Sequence, residues 1–209
     1  MFTISKITST INKIEQEIIA NINQIDLDTY NSIQEDFQKG NVNSNSSFQT
    51  RFSSFYRLNG AALTPEFKST YYSIMEKNRN NTDFEDFQIK EIILELFNYE
   101  NYQGDKCIQF SFTTKLIHTI NNDLPIYDSM IKKVFGFKGP HYYNNTNEKI
   151  GIYMNQYNSI KETYRQIIKN DMLSSVVTLF NSKFTGYSLG DIKTLDFIFW
   201  TAGKIDKVW

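Results

Sequence analysis

One cysteine, Cys107, stands in 209 residues. No disulfide can form within the chain, and a zinc site built from several cysteines is excluded. Such usage fits a reducing, intracellular setting, so a cytoplasmic location is expected. Histidine is nearly as scarce: His118 and His141 stand well apart among scattered carboxylates. They make no convincing ligand set, and neither a metal nor a cofactor is expected. No glycine-rich phosphate loop follows a strand, and neither HExxH nor GxSxG occurs, which sets aside P-loop, zinc-protease and serine-hydrolase chemistry. No apolar run reaches the length needed to span a bilayer, so no membrane partner is expected. The N-terminus, MFTISKITSTINKIEQEIIANI, has Lys6, Lys13, Glu15 and Glu17 spread through it. A secretory signal would need an uncharged apolar block there, so the segment reads as an amphipathic helix of the mature protein. No repeat with a period of 20–50 residues is seen.

What the chain has in quantity is aromatic side chains, 17 Phe and 13 Tyr, arranged at helical spacing. The length suits a single all-helical domain over 1–209, with residues 1–44 as a possible N-terminal lobe bounded within the polar run NVNSNSS. The pattern predicts an all-α fold of about nine or ten helices. Ile4, Ile7, Ile11, Ile14 and Ile18 stripe a first helix over 3–23, and a second covers 27–37. Phe48, Phe52 and Phe55 mark a buried face on a helix ended by Asn59-Gly60. Thr64-Pro65-Glu66 reads as N-cap, first helical residue and dipole-compatible acid. Thr82 or Asp83 caps the next helix, with Phe84, Phe87, Ile92, Leu96 and Phe97 as its core. Beyond the central stretch, Asn145 or Thr146 opens a long helix to Asn170. Another follows over 172–184, and Ser188 caps a last one closed by Gly203.

The central stretch, residues 108–138, concentrates the possible chemistry. Ile108, Phe112, Leu116, Ile117 and Ile120 give its first helix an inward face. Pro125 forces Leu124 toward an extended conformation, and Gly136 stops the second helix. Lys115, His118 and Asp128 bring an amine, an imidazole and a carboxylate within fourteen residues. Each also has a plain structural reading: Lys115 as a snorkelling lysine, His118 as a core histidine, Asp128 as a helix cap. Charge is uneven along the chain. Residues 1–110 carry 10 Lys+Arg against 15 Asp+Glu, and residues 111–209 carry 12 against 8. Lys132, Lys133, Lys138, Lys149, Lys161, Arg165 and Lys169 make the middle of the second half its most basic part. That face is either a solvated surface or one that meets a polyanion.

The segment SFTTKLIH…LPIYDS resembles the helix-hairpin-helix DNA glycosylase superfamily, in particular bacterial proteins with the 8-oxoguanine glycosylase fold. The C-terminal IKTLDFIFWTAGK is similar to the closing helix of that family's small members. The resemblance implies a base-excision activity on DNA, with or without lyase activity. Lys115 would then match the nucleophile, and Asp128 the aspartate at the entrance of the following helix that supports the cation forming on the sugar. His118, one turn from Lys115, would tune the amine or assist proton transfer. Tyr127, Tyr142, Tyr143 or Phe137 would hold an extruded base. Lys132, Lys133, Lys138 and His141 would meet the nucleic acid. Where that superfamily has a glycine-rich hairpin before the lysine, this chain reads CIQFSF. One alternative is therefore a nucleic-acid-binding module that keeps the fold without the chemistry; the near-neutral charge and acidic first half add another, a helical protein-interaction domain in bacterial stress or phage defence.

Overall fold

Polar side chains at the starts of the helices decide where several of them begin. In the computed structural model, which describes residues 1–205 and 209, the chain forms eleven α-helices and one 3-10 turn, with no strand among the described residues. The all-α expectation is met. The helices gather into two units: Met1–Gln24 with Asn122–Trp209, and Ile25–Asn121.

The first unit begins with two helices where one was expected. α1 (Ile4–Lys13) is capped by Thr3, whose hydroxyl accepts the Lys6 N–H, and it stops at Ile14; α2 (Glu15–Asn21) follows at once. No glycine or proline marks the break. At the far end of α2 the Lys183 ammonium, carried by α10 (Ser174–Lys183), donates to the carbonyls of Ile19 at 2.6 Å and Ile22 at 3.0 Å. These are acceptors that a helix end leaves unsatisfied.

α8 (Ser129–Phe135) ends at Gly136, which takes the left-handed conformation with φ of 63°, as the sequence predicted. α9 (Thr146–Lys169) is capped by Asn145, one of the two starts predicted. α11 (Asp191–Lys204) forms the core of this unit, burying Leu195, Phe197, Ile198, Phe199 and Ala202. Its N-cap is Gly190 rather than Ser188. Gly203 does not close the helix. It lies within the last turn, where a Cβ would stand 2.6 Å from the Met130 carbonyl oxygen. That glycine exists so that α8 and α11 can approach closely.

The second unit holds α3 (Gln24–Lys39), α4 (Ser46–Phe55), a 3-10 turn (Leu58–Ala61), α5 (Pro65–Lys77), α6 (Asp86–Phe97) and α7 (Phe110–Ile120). Thr64 caps α5 as expected, accepting the Phe67 N–H. The aromatic face of α4 is Phe48, Phe52 and Tyr56, with Phe55 only half-buried. The next position after Phe52 at four-residue spacing is Tyr56, and its ring sits 4.7 Å from that of Phe52. Arg57 then turns left-handed, so α4 ends before Asn59-Gly60. α6 is capped neither by Thr82 nor by Asp83. Glu85 and Gln88 form a reciprocal capping box that moves the start two to three residues on. This rotates Phe87 outward, to 60% exposure, and puts Ile89 and Ile93 in the core beside Ile92 and Leu96.

The polar run after Gly40 lies inside this unit. The Arg79 guanidinium bonds to Glu76 and to the carbonyls of Phe37 and Gly40, and stacks 4.2 Å over the Phe37 ring. Val42 is fully buried, its N–H on the Glu76 carboxylate. That hydrogen-bonded pairing with Arg79 holds the Glu76 carboxyl below its ordinary range.

Candidate functional site

Lys115 and His118 belong to α7 in the second unit. Lys115 is half-buried; its ammonium donates to the Tyr56 carbonyl at 3.3 Å and lies 5.1 Å from the centre of the Phe112 ring. Tyr71 fixes this part of α7 by donating its hydroxyl to the Phe112 carbonyl at 2.8 Å. Burial pushes the Tyr71 phenol well above its ordinary value, so it stays a donor. The ammonium thus meets a backbone acceptor and the rings of Tyr56 and Phe112.

His118 is fully buried, its Nε2 3.3 Å from the Tyr30 hydroxyl and its ring 5.8 Å from the tyrosine ring. The sequence offered two readings for it, tuning the Lys115 amine or assisting proton transfer, or a core histidine. Its burial and this partner give it a packing role between α3 and α7.

Asp128 belongs to the first unit and is the N-cap of α8. Its backbone is extended, and its Oδ1 accepts the N–H groups of Met130 at 2.9 Å and Ile131 at 3.0 Å. The carboxylate caps the helix it precedes, the plain structural reading of Asp128. The residues just before it are held one by one. The Tyr157 hydroxyl donates to the Pro125 carbonyl at 3.1 Å, the Ile126 N–H donates to Asp196 Oδ1 at 3.3 Å, and the Tyr127 hydroxyl donates to Gln156 Oε1 at 2.6 Å.

The expected nucleic-acid residues divide by exposure. Tyr127 is buried, packed edge-on against Tyr153 with its hydroxyl on Gln156, so it does not offer a face to a base. Burial, and then the neighbouring Tyr153 and Asp128, raise its phenol above the ordinary range. Lys132 and Lys133 are half-buried on the last turn of α8. Lys138, His141 and Tyr142 are exposed, Tyr142 at 89% and the neighbouring Tyr143 at 45%. Their loop is nevertheless anchored. Gln156 donates to the Lys138 carbonyl at 2.8 Å while accepting from Tyr127. The His141 ring folds over Gly139, where a Cβ would stand 2.4 Å from Nε2.

Sequence reasoning missed Asp196 and Lys193, both on α11 and only 4% exposed. Asp196 Oδ1 also accepts the Tyr164 hydroxyl at 3.3 Å. Burial lifts its carboxyl to about 7, although the Lys193 ammonium and the Ile126 N–H pull it down. The available signal was a lysine and an aspartate three residues apart in the otherwise apolar run IKTLDFIFW.

Among the described residues no group of three or more His, Cys, Asp and Glu could hold a metal ion, and no helix is long and apolar enough to cross a membrane. Compared with protein-family models, with curated proteins and with solved structures, the chain matches none.

Proposed function

We propose that the chain excises a base from DNA, with Asp128 stabilising the charge that develops on the sugar and Lys115 acting as nucleophile. The observation that carries this reading is the placement of Asp128. Two backbone amides fix its carboxylate at a helix entrance whose preceding residues are each hydrogen-bonded in turn. A carboxylate that need not reorganise gains most from electrostatic stabilisation of an oxocarbenium-like sugar. After losing a proton to solvent, the Lys115 amine attacks C1′ as the N-glycosidic bond breaks. The base leaves with the bonding pair and takes up a proton, and opening of the sugar gives a Schiff base. His118 supports α7 from the core and does not touch substrate.

The test is borohydride trapping on oligonucleotides carrying 8-oxoguanine, uracil or an abasic site. The wild type is expected to give a reduced covalent adduct that Lys115→Ala abolishes. Asp128→Asn is expected to slow base release by about 10²–10³-fold. Absence of any adduct and of any base release in the wild type would end this reading.

A second reading, binding without chemistry, is favoured by the exposed cation-and-aromatic loop at Lys138, His141 and Tyr142. Exposed tyrosines offer faces to unstacked bases, and neighbouring cations meet phosphates. It is the reading left standing if wild-type protein binds DNA in a strongly salt-dependent way yet leaves every substrate intact.

A further inference from the structure

Asp196 is a nearly buried acid with no place in the chemistry above. It lies inside the first unit, on α11, and its hydrogen bonds run to two other elements. One goes to the α8 entrance, through the Ile126 N–H at 3.3 Å; the other goes to α9, through the Tyr164 hydroxyl at 3.3 Å. The same entrance is tied to α9 by Tyr157 on the Pro125 carbonyl. It is pressed onto α11 farther along, where Gly203 admits the Met130 backbone. Burying a carboxyl is costly unless it is bonded and opposed by charge. A hydrophobic residue at 196 would pack α11 without that cost, but it could not hold the Ile126 amide.

We propose that Asp196 is a positioning residue: by bonding the Ile126 N–H it sets the backbone two residues before Asp128 and so fixes where the Asp128 carboxylate points. Its relevance to excision rests on the reading of Asp128 above, whereas the positioning itself does not. The bond is responsive to protonation, because a carboxylate accepts more strongly than a neutral carboxyl. The groups that set its charge are Lys193 on α11, Tyr164 on α9 and Asp128 at the entrance itself. Burial lifts the Tyr164 phenol well above its ordinary value, so it remains a donor throughout. α8 adds Lys132 and Lys133, both half-buried. α2 and α10, which also pack on α11, carry a half-buried Glu15 and an exposed Glu17 and Lys183.

Amide exchange, followed residue by residue by NMR, tests the proposal on the full chain. In Asp196→Ala the amides from Ile126 to Ile131 are expected to exchange at least about tenfold faster, while α9 amides change less than about twofold. Asp196→Asn, which keeps an acceptor, is expected to restore most of the protection. In the wild type, protection at 126–131 relative to α9 should rise through neutral pH as the carboxylate forms, and in the Asn variant it should stay flat. Unchanged exchange at the entrance in the Ala variant, or an equal loss throughout α9 and α11, would overturn the proposal. If the Ala variant does not fold, the pH profiles of wild type and Asn variant decide the matter alone, identical profiles being the negative result. Where base excision is measurable, Asp196→Ala should lower kcat with little change in KM. A wild type that shows no excision but does show the entrance effect would refute the function and keep the positioning role.

Discussion

At the scale of single residues, the first unit keeps an ionisable group where apolar packing would be cheaper. Asp196 holds its proton in the folded state up to about 7, whereas an unfolded aspartate releases it near 4. Between those two pH values the native state binds more protons than the unfolded one, so stability falls as pH rises from about 4 to about 7 and is level above that. The full effect is on the order of 4 kcal/mol. Calorimetry of wild type beside Asp196→Asn checks it. The difference in Tm is expected to widen in favour of the Asn variant from pH 5 to pH 8. A constant difference would mean that Asp196 is ionised throughout. Glu76 acts in the opposite sense, since its carboxyl is lowered by Arg79. It is present in both proteins and cancels from the comparison.

At the scale of elements, the decisive contacts are those of short helices with long ones. α8 has seven residues, too few to persist alone. Asp128 caps one end, the left-handed Gly136 ends the other, and Gly203 lets its backbone meet α11. In Gly203→Ala the new methyl would strike the Met130 backbone oxygen, not the movable end of a side chain. The expected outcome is a loss of about 1–3 kcal/mol, read by urea unfolding, in spite of alanine's better helix propensity. A gain in stability would show that α8 shifts without cost, and would weaken the account of the Asp128 entrance as a rigid frame. The elements also show where sequence patterns stop being sufficient. The capping box at Glu85 outcompetes the nearer candidates Thr82 and Asp83 because it satisfies two backbone groups at once. The end of α2 is completed by Lys183, more than 160 positions away.

At the scale of the whole molecule, charge separates with the fold. The unit of Met1–Gln24 and Asn122–Trp209 carries 13 Lys+Arg against 10 Asp+Glu, and Ile25–Asn121 carries 9 against 13. A net charge of −1 hides this division. The exposed loop with Lys138, His141 and Tyr142 lies on the basic unit. DNA affinity is expected to fall steeply with salt, and the slope of log K against log salt should shrink by about one in Lys138→Ala. Tyr142→Ala should weaken single-stranded DNA more than duplex, by about 1–3 kcal/mol. Fluorescence anisotropy across a salt series measures both. Failure to bind at low salt would remove DNA from consideration for either reading of the function.

The amino-acid order alone determined the all-α class, the capped start at Thr64, the start of the long helix near Asn145 and the stop at Gly136. Those follow from local rules: periodicity, side-chain caps and glycine's freedom at positive φ act over a few residues, and the sequence contains them in full. Only the tertiary structure decided that His118 and Tyr127 are core residues, that Gly203 is a contact point rather than a terminus, and that Asp196 is the acid joined to the Asp128 entrance. Burial and partners for these residues come from segments tens of positions away. His118 is reached by Tyr30 and Ile126 by Asp196, and no periodicity within one helix encodes which distant side chain will complete it.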